Sequence, residues 1–300
     1  MASLQQQAII LALRVTRRKR LWQDPERLIQ DAREQQKAWP VRPPGKIVDR
    51  VRVETDERMG FPVYTFAPKP GSTTSGRSAL YIHGGGYIHD FGPGHFKLIA
   101  TLVERAGLTV VAPCYPLVPD HNWRDSFEQV AALGRGLNGP GKPLLIGDSA
   151  GGGFALAVAE VLAAEALQPE TVLLSPYGDA LVSDPGTPEY DSRDPYLAAA
   201  GVRTVLTAWA GDDDPERPEV SPLFGRFAGI ARMLILTGTN DTIHPQALQI
   251  HAKAQTDRVA SKLVVAQGCI HVYPLMPIPE AKKALEHMLD FIAEEVASAR

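Results

Sequence analysis

Ser149 stands in Gly147-Asp148-Ser149-Ala150-Gly151, and His83 opens His83-Gly84-Gly85-Gly86. These residue types at this spacing suit acyl transfer. A serine on a tight strand-to-helix turn projects its hydroxyl, and glycines two residues to either side permit the close backbone approach that such a turn needs. A glycine run after a histidine presents main-chain N–H groups with no side chain in the way, which suits a developing oxyanion. The chain has 26 glycines and 8 histidines in 300 residues. At that composition Gly-x-Ser-x-Gly arises by chance in roughly one chain in ten and His-Gly-Gly-Gly in roughly one in two hundred, so context has to decide.

A serine nucleophile needs a base to take its proton and a carboxylate to orient that base, following in the order acid then histidine. After Ser149 the histidines are His244, His251, His271 and His287. His251 and His287 fall within predicted helices and His244 lies just before one, which leaves His271, in a loop after the last predicted strand. For the acid, Asp241 closes the strand Met233 to Thr237 through Gly238-Thr239-Asn240. Asp179, after Ser175-Pro176-Tyr177-Gly178, is the rival and leads into an irregular stretch. His83 is expected to brace the glycine loop through backbone hydrogen bonds. Tyr87, Tyr177 and Tyr273 are candidates for pocket lining, and Cys269 is expected to be a small buried apolar residue.

The elements that must position these groups follow from the hydrophobic pattern. Residues 143–147 form a short apolar run and 150–165 a helix-forming one, so Ser149 sits where a strand becomes a helix. Residues 78–83 read as a strand that delivers His83 and its glycines to the same sheet edge. Further strands are expected near 46–54, 62–67, 108–113, 171–175, 232–237 and 262–266. Helices are expected at 93–106, 124–137, 245–256 and 279–298. This alternation predicts an α/β fold with a mostly parallel eight-stranded sheet flanked by helices, its first two strands an antiparallel edge hairpin. Within the catalytic domain, 46–300, the order breaks over 176–230. Residues 178–194 are rich in Gly, Asp, Pro and Ser, and a helix-like run follows at 197–210, as in an insertion over the site. Residues 1–45 read as a helical cap segment with helices over 4–20 and 25–38, the second started by Asp24 and Pro25.

Composition excludes several classes. The chain is 44% hydrophobic and 22% charged, with a formal net charge of -3, a pI near 6.3 and mean hydropathy of -0.11. No nucleic-acid footprint follows from that balance. The apolar stretches fall short of a membrane span, and the patch from Ala8 to Leu13 precedes its basic residues, the reverse of a secretory signal. A cytoplasmic location is expected. Arg14, Arg17, Arg18, Lys19 and Arg20 beside Ile9, Ile10 and Leu13 form a basic cluster that an anionic membrane would attract. A solvated helix face is the simpler expectation, and membrane association is not expected. Cys114 and Cys269 give neither a disulfide framework nor a metal spacing, and His83, His89 and His95 share no helical face.

Across residues 60–298 the chain resembles the hormone-sensitive-lipase-like esterases of the α/β-hydrolase superfamily. Carrying the resemblance are Tyr81-Ile82-His83-Gly84-Gly85-Gly86-Tyr87, Gly147-Asp148-Ser149-Ala150-Gly151-Gly152, Ser175-Pro176-Tyr177 with Asp179, and Asp194-Pro195-Tyr196-Leu197. Ser221-Pro222-Leu223, Gly238-Thr239-Asn240-Asp241 and His271-Val272-Tyr273 complete the set. The resemblance implies a triad of Ser149, Asp241 and His271, an oxyanion hole from the amides of Gly84, Gly85 and Ala150, and an N-terminal helical cap. It points to a small-acyl carboxylesterase, with hydrolysis of amides, thioesters or acetylated sugars, or a non-catalytic binding protein on the same scaffold, as alternatives. No cofactor or metal is expected, the partner is a small-molecule ester, and a homodimer rests on analogy alone. Two departures stand out: Cys114-Tyr115-Pro116 replaces the family's Asp-Tyr-Arg, and Pro245 stands where a second acid is usual.

Overall fold

Apolar runs without polar alternation, such as Leu144-Leu145-Ile146, make strands covered on both faces, and helices must supply the cover. The computed structural model describes residues 2–138 and 141–298. Four helices come first: α1 (Leu4–Val15), α2 (Lys19–Trp22), α3 (Pro25–Gln36) and α4 (Gly45–Val48). Strands β1 (Arg52–Asp56), β2 (Val63–Ala67) and β3 (Ser78–Ile82) precede α5 (Pro93–Ala106) and β4 (Thr109–Pro113). Next are α6 (Phe127–Arg135), β5 (Leu144–Asp148), α7 (Ser149–Ala164) and β6 (Glu170–Leu174), then α8 (Thr187–Arg193) and α9 (Ala199–Ala210). The order continues with β7 (Arg232–Asn240), α10 (His244–Thr256), β8 (Ala260–Ile270) and α11 (Pro279–Ser298).

The eight strands form one sheet in the order β1-β2-β4-β3-β5-β6-β7-β8. β1 with β2 and β2 with β4 run antiparallel, and every other pair is parallel. Successive side chains of a strand point to opposite faces, so the sheet divides the core into two layers. Leu80 and Ile82 of β3 pack with Phe127 of α6, Phe154 of α7 and Trp209 of α9. Ala79 and Tyr81 pack on the other side with Phe96 and Ile99 of α5 and Met288 and Phe291 of α11. The insertion after β6 carries α8 and α9.

Four local expectations need correction. The strand predicted over 46–54 is β1, starting six residues later than expected, because the chain after Pro44 forms the helical turn α4, which buries Ile47. The helix predicted over 4–20 breaks after Val15, where Arg17 takes a left-handed φ of 53°. The one predicted over 124–137 is a short 3-10 turn at Trp123–Asp125 followed by α6. The stretch 178–194, rich in turn-forming residues, contains α8.

Candidate active site

The turn from β5 into α7 fixes Ser149. Asp148 ends the strand, Ser149 adopts φ 52°, and Ala150 lies in the first turn of the helix, whose N–H groups lack helical acceptors. The chain can fold this sharply only because of its glycines. A Cβ at Gly147 would collide with the Gly151 carbonyl, and one at Gly151 with the carbonyl oxygens of Ile82 and His83. Gly151 therefore lets the helix start press directly against the end of β3.

Three distant segments meet at this turn. His271, one residue past β8, has its Nε2 2.8 Å from Ser149 Oγ and its Nδ1 2.9 Å from Asp241 Oδ2. With Nδ1–H donating to the carboxylate, Nε2 is free to accept from the serine hydroxyl. Asp241 follows β7, is fully buried, and accepts the Ile243 N–H on its other oxygen at 3.0 Å. Asp179 lies elsewhere: its carboxylate accepts from the N–H groups of Leu181 (2.8 Å) and Ser183 (2.7 Å) and from the Ser183 hydroxyl. His244 and His251 are paired with Thr237 and Ser261 at 2.9 Å each.

The electrostatics pull His271 in two directions. Burial disfavours the imidazolium, while the carboxylates of Asp241, Asp194 and Asp148 favour it and prevail, so its pKa lies above the ordinary histidine value. Asp194 is buried and accepts N–H groups of Tyr196 (2.7 Å), Leu197 (3.0 Å) and Thr242 (2.8 Å). Burial first, and the neighbouring Asp241 second, push its carboxyl up to about 6.

The glycine loop shows which amides are free. Gly84 N–H donates to Asp148 Oδ1 at 3.1 Å, so the expected role of Gly84 in an oxyanion hole is incorrect: its amide is already taken by a buried carboxylate. Among the described residues the amides of Gly85 and Gly86 have no acceptor, and both glycines line the cavity that Ser149 and His271 border. Asp148 also accepts from Tyr81 Oη at 2.7 Å and from His95 Nε2 at 3.2 Å. Gly92 N–H donates to His95 Nδ1 at 2.7 Å, which leaves the ring proton on Nε2, facing the carboxylate. Burial raises the Asp148 carboxyl, but His95 and these hydrogen bonds outweigh it and hold it below the usual range. His83 Nδ1 donates to Gly84 O at 2.7 Å, and its ring stacks on Tyr115 at 4.4 Å. Tyr115 Oη in turn donates to His83 O at 2.7 Å. At the two departures from the family pattern, Cys114 Sγ donates to Asp90 at 3.0 Å, and Pro245 is buried at the start of α10.

The cavity has a volume of about 450 Å³. Ile9 and Leu13 of α1 and Trp22 of α2 line it, with Tyr196 and Leu197 of the insertion and His89, Leu275 and Met276. Tyr87, Tyr177 and Tyr273 do not, which corrects a second expectation. Tyr87 takes φ 59° and turns inward, stacking on Trp209 at 4.1 Å with its hydroxyl 3.0 Å from Ala150 O and 2.8 Å from Tyr177 Oη. Tyr177 donates to Val220 O at 2.6 Å, and Tyr273 is buried in the layer under α5 and α11. The two inner tyrosines brace the start of α7 from below. Sequence reasoning missed His95 and Tyr81 as the anchors of Asp148; the available signal was a histidine in the first turn of the helix that follows the glycine loop. Among the described residues no cluster of metal-ligating side chains occurs, both cysteines are buried thiols, and no helix is long and apolar enough to cross a membrane.

A strand-to-helix serine turn, a histidine after the last strand and an acid after the one before define the α/β-hydrolase class of site. Residues 79–275 match the family model described as alpha/beta hydrolase fold. The chain belongs to that family. It is 30% identical over 239 residues to LipR of Mycobacterium tuberculosis, a protein named as an acetyl-hydrolase, with 75% of each chain covered. It is 29% identical to an ethyl acetate hydrolase of Pseudomonas putida, with 76% of each covered. A crystal structure of an esterase from the bacterial hormone-sensitive lipase family superposes with a TM-score of 0.79 at 23% identity, covering 99% of this chain and 100% of that one. This last likeness bears on the fold.

Proposed function

We propose that this chain hydrolyses short-chain acyl esters through Ser149, His271 and Asp241. At the coarser level it is a carboxylic ester hydrolase of the α/β-hydrolase family, acting on a small-molecule ester. The observation that carries the finer reading is the unbroken relay of 2.8 and 2.9 Å from Ser149 through His271 to Asp241 at the wall of an apolar cavity. His271 takes the serine proton as Oγ attacks the ester carbonyl, and Asp241 holds the tautomer and stabilises the imidazolium. The oxyanion meets the amides of Gly85, Gly86 and Ala150, each donor contributing on the order of 3 kcal/mol to the transition state. His271 then protonates the departing alcohol. Water, deprotonated by the same ring, attacks the acyl-enzyme and releases the acid. Ile9, Leu13 and Trp22 in the cavity wall support the view of residues 1–45 as a cap that shapes the acyl pocket.

A panel of chromogenic esters of increasing acyl length, run on wild type and Ser149→Ala, tests the reading. Ser149→Ala should lower kcat by about 10⁴-fold or more, and turnover should fall as the acyl chain outgrows the cavity. Full turnover by the alanine variant would remove Ser149 from the mechanism. Asp241→Asn should cost about a thousandfold or more in kcat, whereas Asp179→Asn should lower the melting temperature and leave kcat within about tenfold. The reverse order would mean that the acid is Asp179.

A further inference from the structure

We propose that the outer face of α1, with the arginines that follow it, docks this protein on an anionic lipid surface. Helix α1 is apolar on two opposite sides. Its inner side buries Gln6 and turns Ile9 and Leu13 into the cavity. Its outer side carries Leu4, Ala8, Leu11 and Val15, a spacing that aligns them within a wedge of about 60° on a helix. That stripe is bare: Leu4 is 80% exposed, Leu11 63% and Val15 72%. Among the described residues the other exposed large apolar side chains, Val48, Leu167 and Phe224, are scattered over three separate elements or loops. A helix face that meets only water carries polar residues, and this one does not.

Charge identifies the occupant. Lys19 is engaged with Asp191, but Arg14, Arg17, Arg18 and Arg20 are all exposed at the end of α1 and the start of α2, in a chain whose net charge is -3. Leucines flanked by arginines match acyl chains flanked by lipid phosphates. A second copy pairing α1 against α1 about a two-fold axis would bring these arginines no acidic partner from that helix, since α1 holds no Asp or Glu. The position also makes sense for the cavity beneath. The Arg18 guanidinium acts on Tyr196 and His89, both in the cavity wall, so the basic end of the face lies beside the cavity. The substrate class that follows, acyl esters dissolved in a bilayer, rests on the hydrolase reading above; the docking itself does not.

Sedimentation with vesicles of phosphatidylcholine alone and of an equal mixture with phosphatidylglycerol tests this. Wild type and Ser149→Ala should bind the mixed vesicles alike, at least about tenfold more tightly than the neutral ones, and salt should weaken that binding. Leu11→Asn with Val15→Asn should weaken it about tenfold, and Arg14→Gln with Arg20→Gln about fivefold for each charge removed. Both double variants should hydrolyse a water-soluble ester as wild type does. Absence of binding to the mixed vesicles at low ionic strength, or binding unchanged in the leucine–valine variant, would overturn the proposal. So would light scattering that shows a dimer converted to monomer by Leu11→Asn with Val15→Asn and no vesicle binding, since the stripe would then be a self-association face. Vesicle binding by a wild type that hydrolyses neither water-soluble nor bilayer-dissolved esters would sink the hydrolase reading alone.

Discussion

His271 meets opposite demands from catalysis and from its surroundings. As the proposed base it must be neutral, yet Asp241, Asp194 and Asp148 hold its proton against the effect of burial. The acid limb of kcat/KM is therefore expected to fall as pH drops through a midpoint above about 6.5, the value for an unperturbed imidazole. A rate profile across that range checks this, and a flat one would exclude a histidine base. The same shift acts on folding with the other sign. A histidine whose pKa is raised in the folded state contributes stability that is complete below its unfolded value and disappears as pH rises through the folded one. Acid conditions thus favour the fold at His271 while switching off the chemistry. Asp194, pushed up to about 6, loses its charge as pH falls below that window, and its support for the imidazolium fades there.

At the scale of elements, the β5–α7 turn is the one that position and composition together specify. A methyl at Gly151 would meet two carbonyl oxygens of the β3 end, neither of which can move without tearing the sheet. Gly151→Ala is expected to cost at least about 2 kcal/mol, read as a lowered urea midpoint with a matching loss of activity. This turn was legible in the sequence because an unbroken apolar run ends in glycines and then becomes a helix former. The two residues that meet Ser149 in a hydrogen-bonded chain, His271 and Asp241, were legible too, since loops after the last two strands hold few histidines and acids. What could not be read was direction. Gly84 and Gly86 are chemically alike, and only the buried Asp148, 64 residues from Gly84, decides which amide is left free. Tyr87 was read by type as lining, whereas a left-handed backbone at that residue sends its ring inward. Ile9, Leu13 and Trp22 belong to the site through packing of α1 and α2, which no local pattern announces. The α4 turn was taken for strand because Ile47 and Val48 suit either state, and burial of Ile47 against the sheet helix layer decided it.

For the molecule as a whole, the insertion must be tied to the hydrolase core, and one tie is built from an acid that burial penalises. Glu160 of α7 accepts the Arg226 N–H at 2.8 Å, and its other oxygen is buried without a partner. Gly225 has no room for a Cβ against that carboxyl. Burial, opposed by the Arg226 N–H and Lys253, pushes the Glu160 carboxyl up to about 8 from an ordinary value of 4.5. Between those two values the folded state keeps a proton that the unfolded state has lost, so this group subtracts stability progressively as pH rises. Asp148 contributes in the other sense, since a depressed carboxyl loses its stabilising effect as pH falls. The two are separated by comparing variants rather than by the wild-type curve. Glu160→Gln keeps an oxygen for Arg226 and cannot ionise. Its melting temperature relative to wild type should therefore climb between about pH 5 and pH 9, with the variant the more stable of the two at the upper end. A constant difference across that range would mean that Glu160 ionises as easily in the folded protein as in the unfolded one, and that the tie between insertion and core carries no charge penalty.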